Sequence, residues 1–407
     1  MRNPPFFPTS LGWGVLFLFV VSLAAALSSG SSEMAMLSAS AAALAFSGGL
    51  SAAFSLRGLR LKRDFLEDGE RGMVLRVPLL LVNEGKSARG PKLVLERAGF
   101  AAGGWIRTPT PLVPGGGDQI VERRVVAERR GEFKLNDVYL LGRDPLGLFQ
   151  RRERFELPGQ TIVYPRTVRL SLEHLRSKRK VRSLSGARTM GSAGVGGEVF
   201  GVRDYRRGDP EHVVDWKHSA KQGKLIVKEF ESVGLERFAL LLDADAAHAV
   251  KPGQANFEFL VDAAASILRY LAGTYSETLF VAPGDGADGV TSFSGSSGAV
   301  WELCGRILAG IQPRDARFSS VLDAALSADL RGCVVFVLSM SADSAVAARL
   351  GELVDAGVEI HWIVAPVELF AVAAESAGES DFTLDSTAAE LLPSVVSART
   401  PVEKIFT

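Results

Sequence analysis

Two long stretches without a charged side chain set the frame for this chain. Residues 11–27 read LGWGVLFLFVVSLAAAL and residues 34–54 read MAMLSASAAALAFSGGLSAAF. At 1.5 Å per residue, helices over these stretches would be roughly 26 and 32 Å long, close to the ~30 Å hydrocarbon core of a bilayer. Only SSGSSE separates them, which leaves room for a hairpin turn and nothing more. The second stretch is rich in Ala, Ser and Gly, residue types that let two helices approach closely in lipid. A signal peptide cleaved near Ala24-Ala25-Ala26 is the competing reading. The second apolar span, which would act at once as a stop-transfer segment, argues against it. The turn carries no Lys or Arg, whereas Arg57, Arg60, Lys62 and Arg63 follow the second span and Arg2 precedes the first. The positive-inside rule then predicts a multi-pass protein of the cell (inner) membrane with both termini in the cytoplasm.

The remaining length is enough for two or three folding units in a chain of 407 residues. Lys+Arg and Asp+Glu both number 46, and a net charge of zero speaks against a dedicated nucleic-acid binder, which carries a basic surplus. Cys304 and Cys333 are the only cysteines, each within an apolar run. They exclude a disulfide framework and a Cys-rich zinc site and read as small buried hydrophobes.

Residues 59–170 show short β-prone runs at 73–82, 92–96, 119–127, 132–141 and 161–164, broken by clusters such as Pro114-Gly115-Gly116-Gly117 and Asp144-Pro145. Val121, Val125 and Ala127 alternate with Glu122, Arg124 and Val126. Short strands with Gly/Pro turns predict a small β-sandwich-like domain, and no cluster of His, Cys or carboxylates marks it as catalytic. Residues 171–236 form a basic, Ser/Gly-rich linker (Arg176, Lys178, Arg179, Lys180, Arg182, Arg188) that leads into a charged, aromatic segment. The basic run reads as a solvated loop or as a contact for anionic lipid headgroups. Over 237–366 the pattern changes again. Apolar runs at 238–242, 278–282, 290–293, 333–338 and 358–365 alternate with helical periodicity at 257–271, 300–311 and 346–355, and a short helix opens at Ser320-Val-Leu-Asp323 with a capping-box-like start. This alternation predicts a doubly wound α/β domain. Residues 367–407 form a C-terminal extension with one expected helix near 388–396.

Chemical motifs are few. No GxxxxGK[ST] loop or GxSxG elbow occurs. The single GxGxxG, Gly284 to Gly289, leads into a strand rather than a helix and carries Asp285 and Asp288 where a pyrophosphate would approach, so it reads as a turn. The histidines His174, His212, His218, His248 and His361 show no metal-binding spacing, and only His248 lies near carboxylates that could share a ligand. The segment that stands out is residues 196–230, which gathers Glu198, Arg203, Asp204, Arg206, Arg207, Asp209, Glu211, Asp215 and Lys217 around Phe200, Tyr205 and Trp216. Mixed charges with aromatics predict charge-assisted hydrogen bonds. Two readings follow, a structural clasp and a recognition surface for a protein partner. In either, Arg203 is expected to pair with Asp209 or Asp215 in one network that Trp216 shields from water.

The pattern Glu198-x-Phe200-x-x-Arg203-x-Tyr205-x-x-Gly208-Asp209-x(5)-Asp215-Trp216-Lys217 closely resembles the signature of the bacterial domain-of-unknown-function 58 family. Asp144-Pro145-Leu146-Gly147-Leu148-Phe149 and Val163-Tyr164-Pro165-Arg166 resemble that family's upstream elements. His212 departs from it, standing where a basic Arg is usual, so that any ion pair made there would depend on pH. The resemblance implies a membrane-anchored protein whose C-terminal part is similar to von Willebrand factor A domains. Such domains often hold a divalent cation. Here Asp243, Asp245 and Ser319 or Ser320 stand at the matching positions, hydroxyls are missing after Asp243, and no Asp directly follows the later strand ending Leu338-Ser339, so the resemblance implies a degenerate site at which Mg²⁺ is not expected. It also implies association with MoxR-type AAA+ ATPases and transglutaminase-like membrane proteins. The expected function is that of a non-enzymatic, membrane-tethered adaptor or assembly factor. The alternatives are a metal-dependent ligand-binding domain of adhesion type and a hydrolase of unknown substrate.

Overall fold

The computed structural model describes residues 6–170, 199–206, 209, 211, 214–230, 236–250, 255–286, 289–371, 384 and 386–405. It divides into two compact units, Met1–Arg166 with Gly305–Ile311, and Thr167–Cys304 with Gln312–Thr407.

In the first unit, helices α1 (Ser10–Ser29) and α2 (Ser32–Phe54) form an antiparallel pair. Thr9 caps α1 by accepting from Gly12 N, Gly30 ends it in the left-handed conformation, and Ser31 caps α2. Small residues (Ser22, Ser38, Ala41, Gly48, Ala52) are the buried ones, while large apolar side chains face outward, Phe17 and Phe46 being 72% and 74% exposed. Helices of this kind are inside out by the standards of a water-soluble protein. Both are long and apolar enough to cross a membrane.

Eleven strands accompany them: β1 (Phe6–Pro8), β2 (Leu59–Arg63), β3 (Gly69–Glu70), β4 (Val74–Arg76), β5 (Leu79–Asn83), β6 (Leu93–Arg97), β7 (Trp105–Pro109), β8 (Asp118–Val121), β9 (Arg124–Val126), β10 (Gly131–Arg143) and β11 (Phe149–Tyr164). The main sheet runs β1-β11-β10-β6-β7, with β3 also pairing β11. A second sheet runs β2-β5-β8, and β4 pairs β9. Alternating Leu59, Leu61, Leu79, Leu81 and Val121 of the smaller sheet pack against Val94, Val138 and Leu140 of the larger one in a shared core.

The long β10–β11 hairpin turns through Asp144-Pro145-Leu146-Gly147-Leu148, and this turn is the seat of the helix pair. The buried Asp144 carboxylate accepts from Leu146 N (2.9 Å) and Phe149 N (2.6 Å). Thr9 donates its hydroxyl to Gly147 O (2.6 Å) and its amide to Leu148 O (2.8 Å). Phe6 stacks on Phe149 with centroids 5.5 Å apart, and Leu148 and Phe149 pack with Ala52, Val15, Leu16 and Ala45. Gly12 sits so close that a Cβ there would collide with the Leu148 carbonyl oxygen.

Several expectations are corrected. The run at 73–82 is two strands, β4 and β5, which belong to different sheets; Pro78, without an N–H to donate, interrupts the ladder between them. The run at 119–127 is likewise split, because Arg123 turns inward between β8 and β9. Residues 161–164 are the end of a 16-residue strand whose polar middle hides its start. Strands β1, β2, β3 and β7 were not expected.

Arg123 reaches into the core to meet Glu96 at 2.6 Å, and Arg63 meets the same carboxylate from β2. Glu96 and Arg123 are fully buried as side chains. Arg63 Nε also donates to Leu157 O and Arg123 Nε to Val77 O, both at 2.8 Å. Burial pulls the Arg123 pKa down and the Glu96 carboxylate pulls it back up. Removing the shared acid strands two buried cations, which typically costs 3–5 kcal/mol. Glu96→Ala should therefore lower the unfolding free energy of this unit by about 3–5 kcal/mol, read as a fall in denaturation midpoint of the full chain.

In the second unit, β12 (Val199–Asp204) and β13 (Ile226–Phe230) form an antiparallel pair, with α3 (Trp216–Gln222) between them in sequence. The six-stranded sheet comprises β14 (Glu236–Leu242), β15 (Ser276–Pro283), β16 (Val290–Ser296), β17 (Val334–Ser339), β18 (Glu359–Val364) and β19 (Ser394–Val395), in the order β16-β15-β14-β17-β18-β19. Only β16 runs antiparallel to its neighbour. The helices are α4 (Ala255–Ala272), α5 (Ser297–Gly310, of which the residues from Gly305 group with the first unit), α6 (Phe318–Ser327), α7 (Ser344–Asp355), α8 (Val367–Ala371) and α9 (Ser386–Glu390). Burial on both faces explains the unbroken apolar runs of β14 and β17. Two details differ from expectation. Helix α6 starts at Phe318, and its N-cap, Arg317, makes no side-chain capping bond, so Ser320 lies inside the helix. The helix expected at 388–396 is the short α9, followed by edge strand β19.

Candidate functional site

Within the second unit, two groups of side chains carry the chemistry. The first is the β12–α3–β13 segment. Arg203 on β12 holds the Asp209 carboxylate with both terminal nitrogens, at 2.7 and 2.9 Å, and Arg206 N donates to the same carboxylate at 2.7 Å. The Arg203 guanidinium, followed by the Arg206 amide, brings the Asp209 pKa down to about 2. Tyr205 packs on Val214 and Val227 in a small apolar cluster.

Asp215 does something else. It is the N-cap of α3, accepting from Lys217 N and His218 N at 3.1 Å each, and its second oxygen lies 2.9 Å from His218 Nδ1. The His218 backbone amide, then the His218 ring, lowers its pKa. The expected single network is thus two local ones, Arg203–Asp209 and Asp215–His218. Trp216 does not shield them, since it is 64% exposed. Trp216 is the first residue of α3, and the neighbouring Lys217 and His218 are exposed as well. Glu198, Gly208 and His212 lie outside the described residues. His218 was passed over in the sequence, although Asp-x-x-His at a helix start is a local capping pattern.

The second group lies at the carboxyl ends of β14 and β17. The strand order reverses direction between these two strands, the place where open α/β sheets form a crevice. Asp243 follows β14 and is fully buried; its oxygens accept from Asp245 N and Met340 N, both at 2.9 Å. Burial is the main cause that pushes its pKa up to about 6. Asp245 caps the following turn through Ala247 N at 2.9 Å. Ser339 is directed inward, accepting from Trp362 Nε1 at 2.8 Å and donating to Ser341 O at 2.7 Å. His248 lies 3.9 Å from Asp245 and 4.0 Å from Asp343, and Asp343 was missed because it comes four residues beyond the strand. Ser319 and Ser320 lie in the first turn of α6.

These residues do not fit a divalent cation. Each Asp243 oxygen already accepts a backbone amide, Asp245 accepts from Ala247 N through one oxygen, and the Ser339 hydroxyl both donates and accepts locally, whereas hard cations need several oxygens aimed at one point. Among the described residues, no group of three or more His, Cys, Asp or Glu is arranged to hold a metal. Elsewhere, Gly284 and Gly289 close the turn between antiparallel β15 and β16 (2.9 Å). Cys304 and Cys333 are buried, and burial pushes the Cys304 thiol up to about 12.

With this geometry in view, residues 201–355 match the family described as protein of unknown function DUF58. The chain is 32% identical over 139 residues to the uncharacterized protein YeaD of Bacillus subtilis (strain 168), a stretch covering 34% of this chain and 33% of that protein. The match thus spans about a third of that relative's length. Among solved structures, a PapD-like domain of human CEP192 aligns at TM-score 0.17 and 17% identity, covering 26% of this chain and 86% of that one. A beta-glucosidase from Listeria innocua aligns at TM-score 0.17 and 15% identity, covering 26% of this chain and 16% of that one. Likenesses this slight say nothing about what this chain does.

Two outcomes are expected. Asp215→Ala should lower stability by about 0.5–2 kcal/mol, the cost of a lost N-cap, rather than that of an unpaired buried ion; its denaturation midpoint reads this. For Asp243, the folded state favours the protonated acid. The penalty of ionisation is absent below the unfolded pKa near 3.8 and complete above about 6, where it amounts to about 3 kcal/mol. Melting temperature should therefore rise as pH falls from 7.5 to 5, and Asp243→Asn should remove that part of the rise.

Proposed function

We propose that this chain is a DUF58-type, membrane-tethered adaptor that is not an enzyme and that presents a von Willebrand A-like domain to a cytoplasmic protein partner, a MoxR-type AAA+ ATPase. The membrane part rests on the two outward-apolar helices and on the arginines and lysine that follow α2, which favour cytoplasmic ends on both sides of the hairpin. The von Willebrand A-like reading rests on the sheet order and on its one antiparallel edge strand.

The observation that carries the adaptor reading is Trp216. An indole 64% exposed, on a helix fixed by the Asp215 cap and in the same β12–α3–β13 segment as the Arg203–Asp209 pair, is the type of preorganised aromatic-plus-charge surface on which interface hot spots form. A transglutaminase-like membrane protein is the second partner this reading allows, with lipid as the third contact and no nucleic acid. The metal-dependent adhesion reading is disfavoured by the committed oxygens of Asp243 and Ser339, and nothing observed favours a hydrolase.

Trp216→Ala should weaken capture of a co-expressed MoxR-type ATPase at least about tenfold and leave the denaturation midpoint within about 0.5 kcal/mol of wild type. Unchanged capture would defeat the proposal. A reporter fused after Thr407 should behave as cytoplasmic and one inserted at Gly30 as external; the opposite result would reverse the topology. Mg²⁺ should not raise the melting temperature, and a rise abolished by Asp243→Ala would favour the adhesion reading.

A further inference from the structure

A cleft of about 440 Å³ opens where α2 ends and the first β-unit begins, lined by Phe54, Arg57, Arg60, Glu84, Arg151 and Glu153 together with small and aliphatic residues. Its charges are unevenly matched. Arg60 lies 3.5 Å from Glu84, and Arg151 lies 4.0 Å from Glu153. Arg57 has no carboxylate partner among the described residues; its guanidinium lies 5.7 Å from the centroid of the Phe54 ring. Three guanidiniums against two carboxylates leave one positive charge over. The carbonyl end of α2, which would repel an anion, is covered, because Arg151 donates to Ala53 O.

The wall of the cleft continues into lipid-type surface. Phe54 and Leu50 are 46% and 50% exposed, one turn apart on the outer face of α2. A ligand seated here would have a headgroup among arginines and an apolar tail along the helix.

We propose that this cleft binds the phosphodiester of a monoanionic phospholipid, with Arg57 as its principal contact and the outer face of α2 as the track for its acyl chain. Arg is suited to this role because its planar fork matches phosphate oxygens. The excess of one cation matches one phosphodiester charge and gives a zwitterionic phosphocholine no net attraction. The proposal rests on the membrane reading above.

The full chain, purified in detergent, is to be incubated with phosphatidylglycerol or phosphatidylcholine of identical chains, and lipid retention followed by native mass spectrometry. Wild type should retain one phosphatidylglycerol at least tenfold more tightly than phosphatidylcholine. Arg57→Ala should abolish that preference with its lipid-free melting temperature unchanged. Equal retention of the two lipids, or selectivity that survives Arg57→Ala, would overturn the proposal. Water-soluble dihexanoyl phosphatidylglycerol and inorganic phosphate separate the sources: a melting shift with the first and not the second is expected, and equal shifts would make this a free-anion site and overturn the lipid assignment. Membrane fractionation of the native chain tests the anchoring separately, so its failure cannot be mistaken for a failure of headgroup selectivity.

Discussion

Within the first unit, the rest of the structure depends on the tight junction between the base of the helix pair and the Asp144–Phe149 turn. An apolar helix pair joined to a soluble domain by a loose linker would leave that domain free to tumble. Here the join has no slack: Thr9 is bonded twice to the turn, Phe6 stacks on Phe149, and Gly12 leaves no room for a side chain against Leu148. Asp144 makes this possible by holding the turn's own amides, so that the carbonyls of Gly147 and Leu148 are directed at Thr9. The short strand β1 then adds the residues before α1 to the edge of the main sheet. A motif that looks in sequence like an ordinary Asp-Pro turn is a socket.

In the second unit, the polar groups at the switch point are turned toward the protein itself. Asp243 joins the ends of β14 and β17 through the Met340 amide, and Ser339 ties β17 to β18 through Trp362. A buried carboxylate held by two amides keeps its proton more readily than usual, because the amides and the charge of His248 offset only part of its lost hydration. The more exposed chemistry lies in the β12–α3–β13 segment, where charge pairs are local and rigid and the indole is left outward.

What was legible in the sequence follows from how local each signal is. The two apolar helices and the alternating strands and helices after residue 236 are written in periodicities that a short window captures. The edges of the β-unit are not. β1 is three residues whose partner lies beyond position 148, and β11 begins with a polar, mostly half-buried run of Gln150, Arg151, Arg152, Glu153 and Arg154 that no strand pattern flags. Arg123 reads as one more surface charge until Glu96 and Arg63 converge on it from distant strands. In the signature segment, residue types pointed to charge pairing, but which carboxylate served which cation depended on Asp215 opening a helix.

The pairing of β1 with β11 also has a consequence for assembly during synthesis. Phe6, Phe7 and Pro8 pair with Arg151, Gln150 and Phe149, so the first strand emerges from the ribosome long before its partner exists. At about 5–20 residues per second, roughly seven to thirty seconds separate the two events. On the proposed topology, both helices reach the bilayer within that interval. The Phe6–Pro8 segment then waits at the membrane surface with its backbone unpaired until the β10–β11 hairpin arrives. A strand made long before its partner is thus among the last of that sheet to find its place.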